Sequence, residues 1–203
     1  MKSILTLIIC LVFFKSYGQE KFDAPSWKAP YTLATDGWSI ERFPIPIDFA
    51  PSIPYHGVED IRFTPGWGDA KSSDYWSYAF LWLLDAKPTI TTTMIEKNLT
   101  AYYTGLVERN IGKRSIKPEQ LVKIKTSIKK VSKAGNDLQT YNGTVYMLDY
   151  MAQRPITLNC IIHVRVCSGS DKLIVFHELS PQKTGAPVWE RMNKLWADFS
   201  CSN

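Results

Sequence analysis

The sequence has few features that name a chemistry on their own. Its 203 residues include only four cysteines and 21% charged residues, which excludes a disulfide-stapled miniprotein and a disordered chain. It lacks the motifs of a nucleophile elbow, a zincin, a P-loop, a dinucleotide-binding turn and an EF-hand. It also lacks the cysteine and histidine spacing of a zinc site, and we therefore expect no cofactor.

Long apolar runs are also scarce. The run Ile4–Phe14 follows Met1-Lys2 and precedes a short polar stretch, which is the layout of a secretory signal peptide. It is shorter than the roughly 20 residues that cross a bilayer, although an N-terminal membrane anchor remains the alternative. We predict a signal peptide over residues 1–19 and a secreted or periplasmic mature protein with no transmembrane segment. The net charge of +5 is too mild to predict a nucleic-acid partner.

Proline and tryptophan set the first part of the mature chain apart. Residues 20–75 contain seven of the twelve prolines, and prolines at this density oppose long helices and central strands. We predict an extended, Pro/Trp-rich wrap with two short strands, Trp38–Phe43 and Asp60–Phe63. Residues 76–203 are predicted to form the core. Since about 184 residues are too few for two comfortable domains, we expect residues 20–203 to form one compact domain.

In residues 76–203 the pattern of apolar and polar residues becomes regular. The nearly all-apolar segment Trp76–Leu84 predicts a strand buried on both faces. A capping box of Thr93 and Glu96 predicts the start of a helix that ends at Gly112, and Thr184–Pro187 opens a second helix. The first helix has an apolar face at helical spacing, formed by Ile95, Leu99, Tyr102, Tyr103, Leu106 and Val107. Short turns between four further strand-like segments predict an antiparallel meander. Those segments are Leu121–Ser132, Leu138–Met151, Ile156–Cys167 and Lys172–Leu179.

These elements predict an α+β fold. An antiparallel sheet of the four-stranded meander and one buried strand would be packed by two helices, with the wrap laid against it. The order of the elements resembles that of the Mog1/PsbP-like proteins, which combine an antiparallel sheet with flanking helices. The resemblance covers element order alone and rests on no motif, so it implies neither site residues nor an activity.

The first candidate site is a loop that contains a histidine and several carboxylates. His56, Glu59 and Asp60 lie close together after Tyr55, and Asp69 follows shortly after. Such groups bind metal ions or act as an acid/base pair. The alternative, which we favour, is a structured loop whose polar groups bond to its own backbone.

The second candidate is a pair of histidines in adjacent strands. If the turn between the strands spans Gly169 to Asp171, His163 lies directly opposite His177, with Cβ atoms about 5 Å apart. Such a pair could share a metal ion or a proton, but a turn longer by one residue would shift the register and separate the two. Because two ligands make an incomplete metal site, we favour a pair of half-buried polar residues.

The remaining candidates are a basic face and an aromatic cleft. Lys123, Lys125 and Lys129 share one face of a predicted strand and could attract an anionic glycan or surface. The alternative is a solvated edge strand that lysine protects from aggregation. Aromatic side chains of the first half could line a cleft for a sugar or an apolar ligand, and the favoured alternative is a role in the core. These residues are Trp38, Trp67, Tyr75, Trp76, Tyr78 and Trp82, with Tyr55 and His56 nearby.

Removal of the signal peptide would leave three cysteines. An oxidising compartment permits one disulfide, which would join Cys201 to either Cys160 or Cys167. A strand of seven steps separates Cys160 from Cys167 by about 23 Å, which disfavours that third pairing. Three reduced, buried thiols are the remaining alternative.

Three functions are compatible with these patterns. The first is a non-catalytic module that binds a ligand or a partner in an apolar cleft rimmed by Trp67, Trp76 and the loop of His56. The second is an extracytoplasmic hydrolase in which His56 works with Glu59, Asp60 or Asp69. The third is docking on an anionic polymer through the lysine face. Since no catalytic motif is present, we favour the first.

Overall fold

A computed structural model describes residues 22–202, so the predicted signal peptide lies outside the described residues. The elements are β1 (Tyr31–Thr32), β2 (Ser39–Ile45), β3 (Gly57–Phe63), β4 (Tyr78–Leu84), α1 (Thr92–Ile111), β5 (Lys125–Val131), β6 (Gln139–Asp149), β7 (Arg154–Val166), β8 (Leu173–Ser180), α2 (Pro187–Ala197) and β9 (Ser200–Cys201). Short 3-10 turns at Gly112–Arg114 and Pro118–Gln120 connect α1 to β5.

Seven strands form one antiparallel sheet in the order β2-β3-β4-β8-β7-β6-β5, and β1 pairs with β9 in a small second sheet. The predicted α+β class and the antiparallel sheet are confirmed. The proline-rich segment contributes β2 and β3 to this sheet, and β3 lies between β2 and β4. The expectation that its prolines exclude a central strand is therefore wrong. Pro44 lies in the edge strand β2, where a missing N–H is tolerated, and β3 contains no proline.

The centre of the sheet is covered on both sides. All seven residues of β4 are buried, because alternate side chains enter two different cores. Tyr78, Phe80 and Trp82 pack toward α1, on what we call the α1 face. Ala79 and Leu81 pack on the opposite α2 face, against residues of α2. Neither of the two described α-helices is long and apolar enough to cross a membrane.

Helix α1 begins two residues earlier than its predicted capping box implies. The side chain of Thr91, not Thr93, caps the helix by accepting a hydrogen bond from the Met94 N–H at 3.2 Å. The carboxylate of Glu96 instead accepts the backbone N–H of Ile128 in β5 at 2.8 Å. Because β5 is an edge strand, this contact covers a donor that another chain could otherwise pair with. The predicted stop at Gly112 is the observed C-cap.

A disulfide joins the turn after β7 to the end of the chain. Cys167 is bonded to Cys201, with Cα atoms 5.7 Å apart, which is one of the two pairings left open by the sequence. Cys160 is buried and free, and burial raises the pKa of its thiol to about 12. The disulfide therefore fastens β9, and with it β1, to the main sheet.

Candidate ligand-binding site

A pocket of about 280 Å³ lies on the α1 face, between α1 and the β2–β3 end of the sheet. Eight of its thirteen lining residues are aromatic. Most of its lining comes from the strands β2 and β3, one side of α1, and the turn segment between β3 and β4. Phe49, Tyr78 and Tyr150 complete it. We call it the aromatic pocket.

The floor of the pocket is formed by the sheet, because alternate side chains of β2 and β3 point to the α1 face. In β3, Ile61 and Phe63 point to the α1 face, and in β2 Glu41 and Phe43 do the same. Glu41 lies directly opposite Ile61 in the antiparallel register. This places one exposed carboxylate beside an otherwise apolar floor.

Helix α1 supplies one wall. Tyr102, Leu106 and Arg109 recur at helical spacing and line the pocket together. Gly105 lets the loop before β3 approach the helix: a Cβ at this position would lie 1.6 Å from the carbonyl oxygen of Phe49. The Phe49 ring packs edge-on against Tyr102, with centroids 5.1 Å apart. The loop and the helix are thus held in direct contact.

The opposite wall comes from the turn segment between β3 and β4. The ring of Trp67 stacks on Phe63, with centroids 4.4 Å apart, and meets Trp76 edge-on at 6.3 Å. Trp76 has φ 55°, in the left-handed region that bulky residues rarely adopt. The backbone N–H of Trp76 donates to the backbone carbonyl of Trp67 at 2.8 Å, and the Trp76 ring is almost fully buried. Such backbone strain costs about 1–3 kcal/mol and is most often retained at functional sites.

A buried carboxyl group lies just behind the pocket. Glu59 has no solvent exposure, and its Oε1 accepts a hydrogen bond from the indole of Trp82 at 3.1 Å. Its Oε2 makes no hydrogen bond of ordinary geometry to residues 22–202. Burial raises the pKa of Glu59 to about 8, although Trp82 and Tyr102 both favour the ionised form. Around neutral pH this side chain is therefore largely protonated.

The tyrosines of the pocket are kept neutral. Burial, followed by the negative charge that Glu59 carries once it ionises at alkaline pH, raises the pKa of the Tyr102 hydroxyl well above its usual range. Burial likewise raises the pKa of Tyr150 to about 12. The hydroxyl of Tyr78 lies 2.5 Å from that of Tyr103 and shares a hydrogen bond with it. These hydroxyls are suited to hydrogen bonding rather than to abstracting a proton.

The structure separates the four predicted cleft residues. Trp67 and Trp76 line the aromatic pocket. Tyr55 instead packs on Trp82, with ring centroids 6.2 Å apart, beside a separate cavity of about 10 Å³. His56 is exposed just before β3, and its carbonyl accepts the N–H of Asp85.

The predicted acid/base set does not converge. Glu59 and Asp60 are consecutive in β3 and therefore point to opposite faces of the sheet. Asp60 accepts the hydroxyl of Tyr31 at 2.9 Å and pairs with Arg62. Asp69 is exposed, and its Oδ1 accepts the N–H of Lys71 at 2.9 Å, which is ordinary turn chemistry. Within residues 22–202, no three His, Cys, Asp or Glu side chains lie close enough together to hold a metal ion.

The predicted histidine pair is wrong. In the observed register Ile162 lies opposite His177, and His163 lies opposite Phe176. The connection between β7 and β8 is longer than the turn that the pairing requires, so the register shifts by one residue and the two rings lie on opposite faces. His177 stacks on Phe80 on the α1 face, with centroids 4.2 Å apart, and burial lowers its pKa to about 3.

His163 belongs to a buried network that the sequence did not reveal. Its Nδ1 lies 2.6 Å from Asp137, whose other oxygen accepts the indole N–H of Trp196 in α2 at 3.0 Å. Its Nε2 lies 3.6 Å from the buried carboxylate of Glu178. Burial opposes the charged imidazole, but Asp137 and Glu178 outweigh it and raise the pKa of His163. The network fastens α2 to the sheet, and we assign it a structural role.

The predicted lysine face is exposed. Lys125 and Lys129 lie in β5 on the side of the sheet that bears α2, and Lys123 precedes the strand. The pocket residues that sequence reasoning missed include Glu41, Tyr102, Arg109 and Tyr150. They lie far apart in sequence, and only the pairing of β2 with β3 and the docking of α1 bring them together. The helical periodicity of α1 marked Tyr102 as an apolar-face residue, which was the one available signal.

A scan against protein-family models and a search of the curated proteins both return no match to this chain.

Proposed function

We propose that this chain is a secreted or periplasmic, non-catalytic binding protein whose ligand occupies the aromatic pocket. The observation that carries the proposal is the pocket itself, in which eight of thirteen lining residues are aromatic. Aromatic rings offer flat, amphipathic surface, and ligand sites combine such surface with a few polar groups. A volume of about 280 Å³ suits a small ligand with a cyclic or aromatic portion.

Two charged residues at the pocket are suited to orienting that ligand. Glu41 lies on the sheet side, and Arg109 lies on the helix side, paired with Asp48 at 2.5 Å. The guanidinium of Arg109 also lies 5.6 Å from the centroid of the Phe49 ring. A ligand with an apolar ring and a polar substituent would satisfy both the floor and the rim.

The surrounding chemistry supports binding over catalysis. The tyrosines of the pocket are held neutral, and Glu59 is buried behind the lining rather than within it. A base that is not within hydrogen-bond reach of the substrate is poorly placed to take its proton. The predicted location has its own support, because a disulfide such as Cys167–Cys201 persists in oxidising compartments.

The test is a thermal-shift and fluorescence titration of residues 20–203 with small cyclic probes: indole, cyclohexanol, phenol and methyl glucoside. A ligand that binds only the folded state raises the melting temperature. The variant Trp67→Ala should weaken binding of the best probe by about tenfold or more, which is the range expected for a buried aromatic contact.

Trp27→Ala is the matched control, because Trp27 is a half-buried tryptophan that packs on Tyr31, away from the pocket. It should leave the affinity within about twofold, well below the tenfold that marks 1.4 kcal/mol. The proposal fails if no probe shifts the melting temperature, or if Trp27→Ala weakens binding as much as Trp67→Ala does.

A further inference from the structure

The α2 face of the sheet carries a second concave site. A groove of about 440 Å³ lies over β5, β6 and β7 and is bounded by the segment that leads into α2. The side chains on this face are exposed at Ser127 and Lys129 and half-buried at Asn142 and Thr144. We call this the amide groove. It lies on the opposite side of the sheet from the aromatic pocket and is independent of the function proposed above.

The wall of the amide groove is fixed by hydrogen bonds. The carbonyl of Gln182 accepts both the side-chain amide of Asn159 and the indole N–H of Trp189, each at 3.0 Å. These two bonds hold the segment between β8 and α2 against β7. The groove is therefore preformed, and a ligand need not order its wall.

The floor is a grid of amide and hydroxyl groups. Lys129 lies directly opposite Asn142, and Ser127 lies directly opposite Thr144, on adjacent strands. Adjacent strands are about 4.8 Å apart, so these groups are spaced closely enough for one ligand to contact several. The Oδ1 atom of Asn142 is buried and has no hydrogen-bond partner within residues 22–202. A buried acceptor without a donor is costly, and rotation of the half-buried Asn142 amide toward the groove would let a ligand hydroxyl donate to it.

One sign of charge borders the groove. Lys123, Lys125 and Lys129 are exposed, and within the described chain none of them has a carboxylate at ion-pair distance. Lys125 lies over the ring of Tyr146, with its Nζ 5.7 Å from the centroid, which directs it along the same face. Lys183, in the wall segment, is also exposed. An anionic ligand would meet several cations here.

We propose that the amide groove binds an acidic polysaccharide. Sugar hydroxyls both donate and accept hydrogen bonds, which matches the side chains of Ser127, Asn142 and Thr144. Sulfate or carboxylate groups match the bordering lysines. The residues lining the groove present no exposed aromatic ring for base stacking, since Trp189 is 1% exposed, which disfavours single-stranded nucleic acid. Strand addition at β5 is opposed by Glu96, which already covers the Ile128 N–H.

The test compares two double variants that each remove two charges. Lys125→Gln with Lys129→Gln removes two positive charges on the groove side of the sheet. Lys97→Gln with Lys130→Gln removes two positive charges on the α1 side. Lys130 lies opposite Tyr141, which points to the α1 face, so this control pair is close by and faces away from the groove. All four lysines are exposed, so both variants should fold, and circular dichroism checks that they do.

The probes are a heparin oligosaccharide, an oligogalacturonate, neutral dextran and single-stranded DNA, each titrated at several salt concentrations. We expect the wild type to bind an acidic oligosaccharide with an affinity that falls as salt rises, because exposed charges are screened. Preference for heparin would identify a sulfated ligand, and preference for oligogalacturonate a carboxylated one. The groove-side variant should lose about tenfold or more in affinity, since single interface contacts of this kind reach that size. The control variant should stay within about twofold.

A third variant, Asn142→Leu, separates recognition from charge. It removes the unpartnered acceptor without changing the net charge, so it should weaken binding while leaving the salt dependence unchanged. The proposal is overturned if no acidic oligosaccharide binds, if both double variants lose affinity equally, or if DNA binds as tightly as the oligosaccharides. It is also overturned if sedimentation shows that a second copy of the chain fills the groove and that Asn142→Leu dissociates the pair.

Discussion

The indole of Trp76 packs edge-on against the phenol ring of Tyr150, with centroids 5.1 Å apart, on a backbone whose φ is 55°. An ordinary residue avoids this conformation, so the ring contacts and the hydrogen bond to Trp67 hold the turn in place. The aromatic pocket is therefore built on a strained residue. Its wall depends on two opposing effects, the packing of the ring and the strain of the backbone.

The two effects can be separated by comparing Trp76→Ala with Trp76→Gly. Both lose the buried ring and should lose about 3–5 kcal/mol of stability. At most positions a glycine variant of a protein is less stable than the alanine variant, but the left-handed backbone at position 76 favours glycine. We expect Trp76→Gly to be more stable than Trp76→Ala by about 1 kcal/mol in urea unfolding. The reverse order would show that the backbone at this position is unstrained.

The close contact between α1 and the loop before β3 gives a second prediction. Gly105→Ala would place a Cβ 1.6 Å from the Phe49 carbonyl oxygen, so the loop or the helix must shift. We expect a loss of about 1–3 kcal/mol, typical of overpacking, and weaker probe binding in the aromatic pocket. Urea unfolding and the probe titration measure the two effects.

Gly112→Ala is the control for that substitution. Gly112 ends the same helix with φ −63°, and a Cβ there meets no atom within 4 Å. Alanine should stabilise the protein by about 0.4–1 kcal/mol, because it reduces the entropy of the unfolded chain. If both alanine variants are equally stable, the contact between Gly105 and Phe49 is not as tight as the structure describes.

Local patterns in the sequence were sufficient to predict much of the fold. The alternation in β5 to β8 and the apolar run of β4 predicted five strands of the sheet, and the spacing of Ile95, Leu99 and Tyr102 predicted α1. The density of aromatic residues left a cleft and a core role open for Trp67 and Trp76, and in the structure both pack with the larger core and also line the aromatic pocket. These features depend on residues that are close in sequence, where side-chain periodicity is informative.

Long-range features could not be predicted in this way. The register between β7 and β8 depends on a turn whose length the sequence leaves ambiguous, and one residue of shift separated His163 from His177. The network of Asp137 with Trp196 joins residues 59 positions apart. Asp137 had the appearance of a turn residue, and nothing local indicated that its carboxylate would be buried beneath α2.

The buried titratable groups on the α1 face predict how stability depends on pH. Burial raises the pKa of Glu59 from 4.5 to about 8, so the folded state holds its proton more tightly and stability falls as pH rises through that range. Burial lowers the pKa of His177 from 6.5 to about 3, so stability falls as pH drops below 6.5. Between pH 4.5 and 6.5 the effects of Glu59 and His177 on the pH dependence of stability have opposite signs.

We therefore expect the free energy of unfolding to be greatest between about pH 4.5 and 6.5 and to fall on both sides. The pKa values of His163 and Glu178 are also raised, which further lowers the free energy of unfolding as the pH increases. Glu59→Gln should reduce the slope between pH 6.5 and 8 by about 1.4 kcal/mol per pH unit at most, measured by urea unfolding. Glu108→Gln, an exposed site on α1, should leave the slope unchanged. An unaltered slope in Glu59→Gln would mean that Glu59 is not buried as described.

The disulfide predicts a measurable response to reductant. Cys167 and Cys201 enclose a loop with a sequence separation of 34, for which chain entropy predicts a stabilisation of roughly 3–4 kcal/mol. A reducing phosphine should lower the melting temperature of the wild type by roughly 6–15 °C for a domain of this size. Cys167→Ser with Cys201→Ser should melt at that lower temperature and show no further change on reduction. Cys160→Ala should keep the full response, because Cys160 is outside the bond, and a response in the double serine variant would contradict the pairing.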